Sequence, residues 1–168
     1  ASDVYKRHSL KNALAQPAPL LFGAIKIELP GYTLRLLDGS AVLQIGSEIY
    51  AGLDATFGTL GGISDLSEEI GDNAPEVTVT LMPPDVSATA VLSHPNMQGS
   101  VATIMVGAVD AATGAVIGTP EILFLGEIDV PTIGIDESGA RTVEFTIVSV
   151  FERLFETEEG QRASNGWH

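Results

Sequence analysis

The sequence predicts a mainly β protein whose strands pair in antiparallel fashion. Glycine, threonine, valine and isoleucine are frequent, a balance that favours many short strands joined by tight turns. Apolar and polar residues alternate with a period of two in several stretches, LFGAIKIEL among them, which is typical of half-buried strands. Turn-forming dipeptides such as Asp38-Gly39 and Ser138-Gly139 separate these stretches and divide the chain into hairpins.

Residues 1–16 precede the first strand and are expected to form a helical arm. Leu10 and Leu14 fall at helical spacing, and Pro17 and Pro19 end the pattern. Three basic residues make this segment positive in an otherwise acidic chain: Lys6, Arg7 and Lys11. They are either a solvated helix face or contacts to an acidic neighbour, such as a second copy of the chain.

The first half of the following domain, 20–156, is expected to be a hairpin meander. In the first strand, Ile25, Ile27 and Leu29 alternate with Ala24, Lys26 and Glu28, which predicts one buried and one exposed face. Turns at Asp38-Gly39 and Gly46-Ser47 would then join each strand to the next along the chain. A further strand is predicted around Val77, Val79 and Leu81.

An acidic loop lies between these strands. Its carboxylates, at Asp65, Glu68, Glu69 and Asp72, raise a calcium hypothesis, but their spacing lacks the alternate oxygen ligands and central glycine of a calcium loop. We therefore interpret the segment as a solvated acidic loop, and we expect no metal site.

The second half begins with a short helix and continues as a sheet. Asp85 is placed to cap a helix that runs to about Leu92, and His94, before Pro95, is expected in an extended conformation. Three antiparallel strands of about ten residues each follow, long enough to form a stable sheet. In the last of them, three side chains should share one face: Val143, Phe145 and Ile147.

The C-terminal segment starts as a helix and ends as a polar tail. Phe151, Leu154 and Phe155 have the spacing of an apolar helix face. Residues 157–168 are expected to form a tail or connector, in which Trp167 is available to bury at a subunit interface.

Composition excludes several classes of function. The formal net charge of −14 would repel phosphate backbones, so nucleic acid is not expected as a bound partner. The chain has no cysteine, which excludes disulfides, thiolate metal sites and a cysteine nucleophile. No apolar run approaches the ~20 residues of a membrane helix, and no segment has the pattern of a signal peptide. A soluble protein is expected.

Catalytic motifs are also missing from the sequence. It contains no Gly-x-Ser-x-Gly elbow, phosphate loop or His-Glu-x-x-His pair, and His94 has no sequence neighbour suited to ligation or base catalysis. We expect no enzyme, no catalytic residues and no cofactor, and the alternative of a glycosidase or peptidase has only unspecific carboxylates in its favour. A carbohydrate- or receptor-binding β-sandwich is the other alternative, although aromatic residues make up only 6% of the chain.

Several stretches carry a resemblance to a known group of proteins. They are YTLRLLDGSAVLQIGSEIYAG, GGISDLSEEIGDNAPEVTVTLMPPD, HPNMQGSVATIMVGAVDAATGAVIG, LFLGEIDVPTI and VSVFERLFETEEGQRASNGWH. In this order they resemble bacteriophage and prophage tail proteins. The likeness covers the chain from about Tyr32 onward and extends to the hub proteins of gene transfer agents, but this chain lacks the cysteines that those hubs often carry.

The resemblance implies a structural role at the distal end of a long non-contractile tail. It implies a tail-tube-type fold, an antiparallel β-sandwich or bent barrel with one or two flanking helices, that assembles with copies of itself into a threefold or sixfold ring. The expected neighbours are the tail tube, the tape-measure protein and other baseplate or fibre proteins. The expected location is the virion, after assembly in the host cytoplasm, and an acidic lumen would let genome DNA pass without sticking.

Overall fold

The computed structural model describes residues 20–64 and 75–150, and over these residues it confirms the mainly β fold. Strands make up 64% and helices 9% of them. The elements are β1 (Leu20–Leu29), β2 (Tyr32–Leu37), β3 (Val42–Ile45), β4 (Glu48–Ala51), β5 (Leu53–Asp54), β6 (Gly58–Ile63), β7 (Glu76–Met82), helix α1 (Val86–Leu92), a 3-10 turn (Pro95–Met97), β8 (Val101–Val109), β9 (Val116–Ile135) and β10 (Arg141–Ser149).

Four predicted segments lie outside the described residues. They are the helical arm 1–16, the acidic loop with Asp65, Glu68, Glu69 and Asp72, the helix with Phe151, Leu154 and Phe155, and the tail 157–168.

All ten strands belong to one sheet, in the order β3-β4-β2-β1-β8-β9-β10-β7-β6-β5. The pairs are antiparallel except β2 with β4, which meet in parallel at Leu36 and Ala51. The sheet bends over itself, so that β2 also approaches β5 and β6 and the Tyr32 ring lies edge-on to Phe57 at 5.3 Å. The result fits the β-sandwich or bent barrel that the resemblance implied, and we call this bent sheet the barrel.

The main core fills the inside of this barrel. Ile25 and Ile27 of β1 are fully buried, and the predicted inner face of β10 is confirmed because its three apolar side chains are also fully buried: Val143, Phe145 and Ile147. Helix α1 contributes Leu92 to this core. Its predicted cap is confirmed, since the Asp85 carboxylate accepts a hydrogen bond from the Ala88 N–H at 2.8 Å.

A second, smaller core lies on the outer face of β1 and corrects the prediction that this face is exposed. Ala24 is fully buried there, with Phe22, Leu37, Tyr50 and Met105. The β3–β4 hairpin supplies the cover, because Tyr50 of β4 packs over residues that β1 and β8 present outward. Alternation alone identified the inner face of β1 and could not reveal this second layer.

The meander prediction is wrong at the turn after β2. Asp38 returns to β1 instead of starting a hairpin: its N–H donates to the Gly23 carbonyl at 3.0 Å, and its carboxylate accepts from the Gly23 N–H at 2.8 Å. Gly52, after β4, then packs so closely on Gly39 that a Cβ at Gly52 would lie 1.8 Å from the Gly39 carbonyl oxygen. For this reason β4, and not β3, lies beside β2.

Strand β9 is about twice as long as predicted. Its 20 residues pair first with β8, from Val116 to Glu127, and then with β10, from Gly126 to Ile135. Gly126 is paired on both sides, with Ala102 and Ser149. The pairing partner of β9 therefore changes from β8 to β10 near Gly126, and the strand continues past its last pair with β8.

Candidate functional site

The structure describes only part of what the sequence predicted about function. The predicted contact residues Lys6, Arg7, Lys11 and Trp167 lie outside the described residues. His94 is described: it is extended as predicted and precedes the 3-10 turn, where its Nδ1 accepts a hydrogen bond from the Asn96 N–H at 3.1 Å. The imidazole ring of His94 thus stabilises a local turn.

Three basic side chains are present in the described residues, and two of them belong to one ion cluster. Lys26 Nζ donates to Glu48 Oε1 at 2.7 Å and Arg35 Nη2 donates to the same oxygen at 3.2 Å, while the Tyr50 hydroxyl donates to Glu48 Oε2 at 3.2 Å. The third basic residue is Arg141, which forms no ion pair within residues 20–64 and 75–150.

The ion cluster perturbs the acidities of its members. The hydrogen bond from Lys26 is the main reason that the pKa of Glu48 falls from its ordinary 4.5 to about 2. Burial, aided by the neighbouring Glu48 charge, raises the pKa of Tyr50 to about 12. Because Glu48 stays ionised and Tyr50 stays neutral, neither is suited to proton transfer near neutral pH. The cluster links β4 to β1 and β2, so its role is structural.

A projecting hairpin is the most prominent surface feature. Past Ile128, the ladder of β9 continues with β10 alone, and the ladder between β10 and β7 ends at the pair Val143–Leu81. Beyond the pair Ile133–Val143 the hairpin end, 134–142, is therefore two-stranded, and from Pro131 to Ile133 strand β9 pairs only with β10 among the described strands. We call residues 131–142 the hairpin arm.

The tip of the hairpin arm is held by Asp136. Its Oδ1 accepts hydrogen bonds from the Ser138 hydroxyl at 2.6 Å, the Ser138 N–H at 2.9 Å and the Ala140 N–H at 2.8 Å. These bonds, with the Ser138 hydroxyl first, hold the pKa of Asp136 below its usual value. A turn fixed in this way presents the arm in one conformation, which lowers the entropy cost of binding a partner.

The hairpin arm exposes apolar side chains that continue the inner face of the barrel. Ile133 lies opposite Val143, and Ile135 lies opposite Arg141, so both follow the row of core residues on β10. Yet Ile133 is 54% exposed and Ile135 is 73% exposed, and nearby Val130 is also exposed. Such a group of apolar side chains on an outlying strand marks an interaction surface.

An apolar cavity opens at the other end of the barrel. It has a volume of about 380 Å³ and includes Leu21, Ile63, Val77 and Leu123 in its walls. Leu21, Ile63 and Leu123 are at least one-third exposed. The polar members of its lining are Asp38 and Ser64. With so few polar groups, the cavity suits apolar side chains better than a polar substrate.

Aromatic residues bear on the carbohydrate-binding alternative. Phe22, Tyr50, Phe57, Phe124 and Phe145 are buried. Among the described aromatic residues only Tyr32 is substantially exposed, and its hydroxyl donates to the Asp54 carboxylate, which raises the pKa of Tyr32. The described part of the chain thus lacks a row of exposed aromatic rings on which sugars could stack.

Metal-binding clusters and membrane-spanning helices are both absent from the described residues. Residues 20–64 and 75–150 contain no group of three or more His, Cys, Asp or Glu side chains that could hold a metal ion. Within the same ranges, no helix has the length and apolar character needed to cross a bilayer.

Sequence reasoning missed the hairpin arm and the cavity. One signal was available for the arm: Ile133 and Ile135 keep the apolar alternation up to the Asp136 turn, so the strand is apolar where a solvated hairpin end would be polar. The cavity had no such signal, because Leu21, Ile63 and Leu123 meet only through the pairing of distant strands.

Taken together, these features define a mainly β protein whose described residues, 20–64 and 75–150, leave two apolar surfaces exposed. Comparison with known proteins adds no family to this description: no protein-family model matches the chain, and no curated protein matches its sequence.

Proposed function

We propose that this chain is a structural subunit of a bacteriophage tail tip, where copies form a distal tail or hub ring that joins the tail tube to the baseplate or central fibre. The observation that carries the proposal is the pair of unlike apolar surfaces, the hairpin arm and the cavity. Unlike surfaces on one subunit produce head-to-tail contacts, and such contacts close into rings when the rotation permits. The resemblance of the sequence to tail proteins is the reason that we propose a phage tail as the location of this ring.

The charge of the chain supports a ring through which DNA passes. Lys26 and Arg35 share one ion-pair partner, Glu48, so Arg141 is the one basic residue without an ion pair in the described barrel. Acidic side chains are spread over the same residues, and the whole chain has a net charge of −14. A lumen with this character would not retain phosphate backbones.

Immunogold labelling of tail particles from the source strain tests the role, with antibodies raised against this chain. The expected result is label confined to the distal tip of the tail. A companion measurement is the mass of the purified protein by native mass spectrometry, which should reveal a closed oligomer of three or six copies. Label on the capsid, or its absence from tails that contain the other tail proteins, would overturn the proposal.

DNA binding gives a second, independent test. The purified chain should not shift duplex DNA in a gel at low salt, where electrostatic binding is strongest. A stable complex under these conditions would contradict the idea of a lumen through which DNA slips.

A further inference from the structure

The hairpin arm and the cavity lie at opposite ends of the same strand. Val77 in the cavity wall pairs with Ile147 of β10, whereas Ile135 of the arm pairs with Arg141 at the other end of β10. At about 3.4 Å per residue, the strand between these pairs spans about 20 Å. The arm of one subunit therefore cannot enter the cavity of that same subunit.

The two surfaces complement each other in polarity and charge. The arm presents Ile133 and Ile135, and the cavity opens between apolar side chains that are themselves partly exposed. Beside Ile135 lies Arg141, the cation without an ion pair in the described residues. Asp38 lines the cavity, and because its Oδ1 accepts the Gly23 N–H, its Oδ2 is available for a cation.

From these observations we infer that the hairpin arm of one copy docks in the cavity of the next copy. Ile135 would bury against Leu21, Ile63 and Leu123, and Arg141 would approach Asp38. The hydrogen-bonded Asp136 turn favours this contact because it leaves less of the arm to be ordered on binding. The inference rests on the proposed assembly into rings and names the two surfaces that make it.

Disulfide trapping is the most direct test, because the chain contains no cysteine of its own. Ile135→Cys and Leu123→Cys are purified separately, mixed at a concentration that supports assembly, and oxidised mildly. A cross-linked dimer should form in the mixture and not in either variant alone. Ile49→Cys, on β4, replaces Ile135→Cys in the matched control, since Ile49 is 63% exposed and lies on neither surface. That control mixture should give no dimer.

A charged side chain placed in the same contact measures how much that contact contributes to the free energy of assembly. Ile135→Asp should raise the dissociation constant for assembly at least tenfold, whereas Ile49→Asp should leave it within twofold. Both side chains are exposed in the subunit, so both variants should keep the melting temperature of the wild-type monomer. Circular dichroism checks that they fold.

The outcomes separate this inference from the proposed function. If the wild type assembles but Ile135→Asp assembles equally well and no cross-link forms, the docking inference fails while ring assembly stands. In that case, a sharp fall in the melting temperature of the Leu123→Asp monomer would mean that Leu123 is already covered within the monomer. Another segment of the same chain would then fill the cavity. A wild type that stays monomeric at every concentration overturns both.

Discussion

The ion cluster around Glu48 gives a quantitative prediction for the substitution Glu48→Gln. A fall in the pKa from 4.5 to about 2 would correspond to roughly 3 kcal/mol if fully expressed as stability. The Glu48 side chain is 31% exposed, however, and solvent screens pairs at this depth, so we expect a loss of about 1 kcal/mol in the free energy of unfolding at pH 7. The loss is electrostatic, because glutamine keeps the size of the side chain.

The pH dependence has a defined sign. The pKa of Glu48 is lower in the folded chain than in the unfolded chain, so its contribution is complete above pH 4.5 and disappears as the pH falls toward 2. Urea unfolding of wild type and Glu48→Gln should therefore differ at pH 7 and converge near pH 2. Glu144→Gln is the matched control, since Glu144 is an exposed β10 residue and its loss changes the net charge equally. Equal stabilities of the two variants at pH 7 would refute the reasoning.

Two further predictions follow from packing and burial. Gly126→Ala should lower the free energy of unfolding by roughly 1–3 kcal/mol, because its Cβ would lie 2.3 Å from the Val148 carbonyl oxygen, whereas Gly62→Ala, with open space around it, should stay within about 0.5 kcal/mol in the same urea titration. Alkaline titration followed by ultraviolet absorbance should show a tyrosine with a pKa near 12 that is missing from Tyr50→Phe. The stability that neutral Tyr50 contributes should be lost as the pH rises from 10 toward 12. A Tyr50→Phe titration identical to that of the wild type would contradict the assignment of the high pKa to Tyr50.

Local chemistry explains what the sequence could predict. Asp85 caps α1 through its own carboxylate, and Gly139 adopts a φ of 85° in the turn before β10, so both features depend on a few adjacent residues. The inner face of β10 was also predictable, because a strand with one core side shows a period of two. Such signals are readable without knowledge of which strands become neighbours.

The errors arose where distant segments meet. The buried state of Ala24 depends on Tyr50 and the β3–β4 hairpin, and the position of β4 beside β2 depends on the close approach of Gly52 to Gly39. Neither contact leaves a periodic pattern in its own strand. Gly23 and Ala24 were the available hint, since small residues in a strand often mark the close approach of another backbone.

Strand β9 connects the two candidate surfaces and so determines how they are related in space. Leu123 lies at the cavity, Ile135 lies on the hairpin arm, and between them Gly126 is paired with strands on both sides. One continuous strand carries both surfaces and is paired with β8 and with β10. The direction of the arm relative to the cavity is therefore fixed. If arm and cavity join successive copies, every copy repeats the same rotation, and a constant rotation is what allows a head-to-tail series to close into a ring.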